Sequence, residues 1–359
     1  MKVSWGRFFF WAFNFFIFSS PLHALPRYAV QEGVGCSSCH VSPTGAGKHN
    51  DTGGSLFTQD LSLNKTKLLV PKETSGRLNP FVAMGSDVRL HKTFTPTPNT
   101  LSLTVPQGSF YLEMNAGKHV TGYLDQDFAN TVNREAFVMI QDGSHPVRLY
   151  ARAGRINLPY GLRVDDDTSF IRTNYNATFA NQDIGAEFGF NPGPFELVAA
   201  VSNGVPGGVT DENRAKAVTA SANWIAEWGR LGTSFQWNQR SAFRLTSGGL
   251  NGGFKIWQLI ILGELDFQQS HSATTGSNTY LLAGFGEINW KAIDGLYVRS
   301  VYDFLDPDYK APDNLQHRVG FGIDLYPLPH TQVSVLYRVN IGTGAAGDDQ
   351  ILSKIHFFF

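Results

Sequence analysis

The stretches "TQVSVLYRVNI" (331–341) and "ILSKIHFFF" (351–359), separated by the polar "GTGAAGDDQ" (342–350), decide the fold. In the first, Val333, Val335, Tyr337, Val339 and Ile341 alternate with Gln332, Ser334, Arg338 and Asn340. A period of two puts the apolar set on one face of an extended chain and the polar set on the other. In the second, Ile355, Phe357 and Phe359 share one face. Upstream, "RVGFGIDLY" (318–326) alternates Val319, Phe321, Ile323 and Leu325 with Gly320, Gly322 and Asp324, and "PLPH" (327–330) reads as a tight turn. Strands of about ten residues with one apolar and one polar face are those of a transmembrane β-barrel, lipid outside and water inside. A soluble sandwich also alternates, but its loops are usually shorter and evenly spaced.

Working outward, strands are expected near 87, 113, 124, 138, 151, 186, 199, 219, 234, 253, 263, 285, 301, 321, 336 and 355. That is about sixteen, an even number as a single-chain bacterial barrel requires; if the weak candidates near 124 and 253 drop out, fourteen remain. Parity supports the larger number. "NPGP" (191–194), "KAIDG" (291–295) and "PLPH" (327–330) fall at one end as short periplasmic turns. The longer connections 95–108, 156–181, 204–214, 270–279, 306–315 and 342–350 fall at the other. Phe359, with Phe357 and Ile355 before it, resembles the C-terminal recognition signature of outer-membrane barrels. The expected fold is thus all-β, a transmembrane antiparallel outer-membrane barrel over 76–359. A charged fraction of 16% beside 13% aromatics suits a lipid partner, and a net charge of −1 gives no sign of nucleic acid. No segment is apolar enough for a membrane helix; "WQLIILGELDF" comes nearest and carries two acids.

The only two cysteines lie in "EGVGCSSCHVSPTGAGKHND" (31–50). C-x-x-C-H arises by chance on the order of once in 6,000 chains of this composition, and it reads as covalent haem c attachment. Cys36 and Cys39 would form the thioethers and His40 would be the axial iron ligand. The spacing suits this, because residues i, i+3 and i+4 share one face of a helical turn. A redox dithiol normally sits where a strand meets a helix, and a zinc site needs four ligands. A short-loop disulfide stays open.

The chain opens on a signal peptide over 1–24: Lys2 and Arg7, an apolar run from Phe8 to Phe18, then the cleavage site Leu22-His23-Ala24. Residues 25–75 form the haem segment and a linker, "VPKETSGRLNP". Such a short, Gly-rich segment buries too little surface to fold alone. Haem needs an apolar cover, so the segment is expected in the periplasmic mouth or lumen, which a barrel of this size has room to hold.

This architecture, with "LPRYAVQEGVGCSSCHVSPTGAGK" (25–48) ahead of a barrel, resembles the fused cytochrome–porin family, which includes outer-membrane iron-oxidising cytochromes. The resemblance implies electron transfer across the outer membrane through one covalent haem c, with an extracellular donor or acceptor, such as Fe(II), and soluble periplasmic c-type cytochromes as partners. The alternative is a solute-diffusion porin whose haem segment is a structural or sensory plug. A soluble periplasmic haem protein is the third. For the sixth iron ligand, His49 is the first candidate, Met84 and His91 are rivals, and Met114 and His119 are more distant; an open position is also compatible. A nine-residue link can span about 30 Å, so His49 can round the ring. Asp165, Asp166 and Asp167, in the long outer loop 157–181, could bind a cation, fold inward against Arg148, Arg152 and Arg155, or stay solvated.

Overall fold

The computed structural model describes residues 26–54, 61–64, 76–96, 99–175, 177–178, 181–208, 210–211, 214–342 and 349–359. The expected signal peptide and most of the linker lie outside the described residues. The strands are β1 (Arg77–Asn79), β2 (Val82–Thr95), β3 (Thr100–Ala116), β4 (Val120–Asp127), β5 (Val132–Gln141), β6 (Leu149–Ile156), β7 (Asp183–Phe190) and β8 (Phe195–Ser202). They continue with β9 (Ala217–Ala226), β10 (Gly229–Gln239), β11 (Phe243–Ile256), β12 (Leu259–Ser272), β13 (Asn278–Ile293), β14 (Leu296–Asp306), β15 (Gln316–Leu328), β16 (Thr331–Gly342) and β17 (Gln350–Phe358).

Each strand from β2 onward pairs antiparallel with the next, and β17 returns to β2, with Ile351 opposite Phe94 and Phe358 opposite Asp87. Sixteen strands close the ring, and β1 lies outside it, paired only with the start of β2. Closure leaves no strand edge to satisfy in lipid. Every expected strand position falls inside a strand, and fourteen is discarded.

Alternation places the side chains as the sequence requires. On β16, Gln332, Ser334 and Arg338 are buried while Val335, Tyr337 and Ile341 face outward. On β17, Ile355, Phe357 and Phe359 face outward, against inward Lys354, His356 and Phe358. Aromatic groups sit at both rims of the apolar belt: Trp224, Trp228 and Phe254 at the short-turn end, and Phe267, Tyr280 and Tyr309 at the other.

The three expected short turns lie at one end, which we take as periplasmic. Two expected outer loops are largely strand. Within 95–108, β3 starts at Thr100, and Thr104 pairs with His91; the breaker Pro106 is absorbed by a bulge between Arg89 and His91. Within 270–279, β12 runs to Ser272 and β13 starts at Asn278.

The N-terminal segment fills the periplasmic half of the lumen. Helix α1 (Pro26–Glu32) packs on β10 to β12. Its Arg27 reaches Asp324 at 2.6 Å, with both groups buried, and the Tyr28 hydroxyl bonds that of Tyr326 at 2.6 Å. Farther along, buried Lys48 pairs with Glu113 at 3.0 Å, and the Lys48 N–H donates to the Tyr123 hydroxyl at 2.9 Å. Arg152 of β6, fully buried, donates to Ser42 and Thr44 of this plug at 2.9 and 3.0 Å. It also donates to Glu187 of β7 at 2.8 Å and Glu135 of β5 at 3.3 Å.

Breaking one partner of such a buried charged cluster strands the others and costs about 3–5 kcal/mol. Arg152→Ala is therefore expected to loosen the plug but leave the ring closed. Unheated protein should still migrate faster than boiled protein on a denaturing gel, while protease cuts the segment near Ser42 faster. A plug as protected as in the wild type would contradict this placement.

Candidate functional site

The C-x-x-C-H residues form one tight turn. Cys36–Ser38 is a single 3-10 turn, in which the Cys39 and His40 N–H groups donate to the Cys36 carbonyl at 3.2 and 3.0 Å. The chain then doubles back. His40 and His49 pair in an isolated antiparallel bridge, flanked by Val41 N–H to Lys48 carbonyl at 3.1 Å and Asn50 N–H to Cys39 carbonyl at 2.9 Å. The His40 and His49 rings stack, with centroids 4.8 Å apart. At the tip, Gly45, Ala46 and Gly47 all have positive φ, at 82°, 68° and 65°. A side chain at Gly47 would place its Cβ 2.2 Å from the Tyr123 hydroxyl, so the tip seats closely on the wall only as glycine.

Beside this turn lies a cavity bordered by Cys36, His40, His49 and the bare backbone of Gly45–Gly47. Cys39 is fully buried next to it in an apolar cluster with Tyr28 and Leu162. The cysteines are not joined in a disulfide. Burial pushes both thiols above their usual pKa, with Glu196 adding to the shift at Cys36 and Cys36 adding at Cys39. A working redox dithiol has a lowered pKa, so these thiols do not fit that chemistry. Burial, then the charge of neighbouring His40, holds His49 well below the ordinary histidine value, leaving the neutral imidazole that ligates metals. Two thiols and two imidazoles on one turn, beside a cavity walled by glycine backbone, fit a covalently attached haem.

The other sixth-ligand candidates lie elsewhere. Met84 and Met114 fall on the outward face of β2 and β3; Met114 is 49% exposed. A one-residue offset in the period of two puts a side chain on the wrong side of the wall. His91 points inward but borders a separate cavity at the outer mouth, together with Asp165, Asp166 and Lys354. His119 sits at the periplasmic rim, bonded to the Gln141 carbonyl at 3.1 Å. His356 and Phe358 of β17, which the sequence did not single out, border the same cavity as well. They hide in the alternating strand that signalled the barrel.

The long loop after β6 folds into the lumen and crosses to the opposite wall. The Tyr160 hydroxyl bonds Asp266 at 3.3 Å, and the Gly161 N–H donates to Ser234 at 3.0 Å. Asp165 contacts Lys354 and lies 3.4 Å from Arg89, and Asp166 contacts Arg338. Arg172 of α2 (Phe170–Thr173) holds Asp167 at 2.9 Å, and Arg318 stacks 3.7 Å over Phe170. The aspartates thus turn inward, but Arg148, Arg152 and Arg155 are not their partners. Arg152 is engaged by Glu135 and Glu187, and Arg155 by the carbonyls of Gly207 and Gly208. The loop has crossed past them. Each carboxylate faces a cationic side chain rather than a shared ion, and no group of three or more His, Cys, Asp or Glu among the described residues is placed to hold a metal ion.

No family model matches the chain, and no curated protein matches it. Solved structures do. OmpT of Vibrio cholerae in its trimer form aligns at 9% identity and a TM-score of 0.63, covering 77% of this chain and 99% of that one. DcaP, an outer-membrane channel of Acinetobacter baumannii, aligns at 13% identity and a TM-score of 0.59, covering 77% and 97%. An anion-selective porin from Comamonas acidovorans aligns at 12% identity and 0.57, covering 77% and 99%. The fold is that of porin-like outer-membrane barrels, and the chain is built for the bacterial outer membrane.

Burial pushes the Asp166 carboxyl up, but Arg338 and the Thr168 hydrogen bonds outweigh it and bring it down to about 2. A depressed carboxyl contributes stability above its unfolded value of about 3.9 and loses it as pH falls through the folded value. Conductance in planar bilayers is therefore expected to stay low and flat from pH 8 to about 4. Asp165→Asn with Asp166→Asn should raise it at neutral pH by freeing the loop. Unchanged conductance in the double variant would show that these contacts do not hold the loop in place.

Proposed function

We propose that this chain carries electrons across the bacterial outer membrane through one haem c held in the lumen of its barrel. The observation that supports this most directly is the turn that brings Cys36, Cys39, His40 and His49 together inside the ring. Cys36 and Cys39 would hold the macrocycle, His40 would be the axial ligand and His49 the second. Bound there, the group supplies a one-electron ferrous–ferric couple. The surrounding residues do the rest. The plug and the inward loop enclose the site within the lumen, which limits its exposure to solvent and supports a defined potential. An apolar band of roughly 25 Å is too tall for one transfer between soluble partners, and a site inside the lumen divides it. On the periplasmic side, His40 also borders an open cleft between the plug and the rim, lined by Asn50, Thr52 and Glu113. A soluble c-type cytochrome is the partner expected there, with an extracellular donor or acceptor such as Fe(II) on the far side.

A solute-diffusion porin with a structural plug is the second possibility, favoured by the likeness to solved porins. One experiment separates the two. Liposomes carrying the purified protein and trapped reductant should reduce an external acceptor without leaking small sugars. Cys36→Ser with Cys39→Ser should lose covalent haem staining and electron transfer together while remaining heat-modifiable. His49→Ala should keep the stain but lose the low-spin spectrum. Sugar leakage without electron transfer in the wild type would contradict the proposal.

A further inference from the structure

Two arginines on this cavity make no ion pair among the described residues, although Glu196 lies near one of them, Arg230. Arg163, in the inward loop, is 9% exposed, and Arg230, on β10, is 7% exposed. Both border the cavity that holds Cys36, His40 and His49. Arg163 donates to the backbone carbonyls of Leu158 and Ala177, at 2.5 and 3.3 Å, and makes no ion pair among the described residues. Burial, with Arg172 nearby, pulls its pKa down to about 10, and the more distant Glu135 and Asp167 offset this only in part. Arg230 lies against the Cys36 thiol. Its Nε is buried without a hydrogen-bond partner, and it too makes no ion pair among the described residues. Most other lumen arginines differ, and Arg155, which bonds only the Gly207 and Gly208 carbonyls, does not border this cavity. Arg27, Arg89, Arg134, Arg152, Arg318 and Arg338 each pair with a carboxylate. Burying a cation without an ion-pair partner is costly, so two such groups on one cavity point to a ligand that brings negative charge.

We propose that Arg163 and Arg230 bind the two propionate carboxylates of the haem attached at Cys36 and Cys39. This rests on the haem reading above and adds the residues that neutralise the macrocycle. Haem c carries two carboxylates, one for each of these two cavity arginines, and guanidinium binds carboxylate through paired N–H donors. Both side chains are long and neither is fixed by an acid, so they can reorient towards a bound carboxylate.

The test uses the full mature chain purified with its haem. Arg163→Gln, Arg230→Gln and the corresponding Lys variants are compared by spectroelectrochemical titration. A nearby cation favours the ferrous state, because oxidation adds positive charge. Each Gln variant should therefore shift the ferrous-to-ferric ratio at fixed poise about tenfold towards ferric, which is about 59 mV lower for a one-electron couple. Absorption bands should stay unchanged, since the axial ligands are untouched, and Lys should restore most of the potential. Wild-type potentials in both Gln variants, with covalent haem present and the barrel heat-modifiable, would overturn the pairing and leave the haem reading standing. If a Gln variant fails to fold, the folded Lys variant decides. Asymmetric carboxylate stretches shifted from wild type in infrared redox difference spectra support the pairing, and identical ones overturn it. Wild-type protein without covalent haem overturns both proposals at once.

Discussion

Arg152 is the contact on which the interior depends. Its single guanidinium bonds two strands of the wall through Glu135 and Glu187, the plug through Ser42 and Thr44, and the root of the inward loop through the Asn157 carbonyl. A ring of strands needs nothing inside it to be closed. A segment of 26–54 with few large apolar residues, however, cannot bury enough surface to hold a shape alone. Polar anchors such as Arg152, Arg27–Asp324 and Lys48–Glu113 let the lumen wall provide the missing surface. In a lumen whose wall is polar by construction, charged contacts are the natural glue, because the apolar faces are committed to lipid.

That division of labour explains the position of the site. The turn with Cys36, Cys39 and His40 is held between a wall that is rigid by strand pairing and a loop latched to the far side by Asp165 and Asp166. The cavity borrows its apolar parts from both: Tyr326 and Phe358 from the wall, Leu162 from the loop. No single segment of the chain contains the site. A plug of this kind also obstructs the pore.

Much of the fold was legible because its signal is local. Val333, Val335 and Tyr337 announce an outward face within a few residues, and turns such as "NPGP" mark where the chain reverses. The strand that continues beyond Pro106 was missed because a bulge can absorb a residue that otherwise ends a strand. The Cys36, Cys39 and His40 cluster was legible for the same local reason, and the structure pairs His49 with His40 across a short link. The rest of the cavity was not. Arg230 and His356 look like ordinary inward residues of alternating strands, and Arg163 looks like a loop residue. Contacts across the lumen join residues more than a hundred positions apart, such as Arg152 with Ser42, and leave no periodic trace. Met84 shows the converse: its distance along the chain is suitable, but strand parity points it into lipid.

The central claim is that the barrel, not the segment, shelters the haem. The most direct measurement is a redox titration, with absorption spectra, of the segment truncated after Val70 against the full mature chain. Covalent attachment should survive truncation, because it needs only the C-x-x-C-H peptide. The native environment should not: water would reach the iron, the sixth ligand would become labile and the potential would fall, since exposure favours the ferric state. A truncated segment with the same potential and the same low-spin spectrum as the full chain would contradict the account.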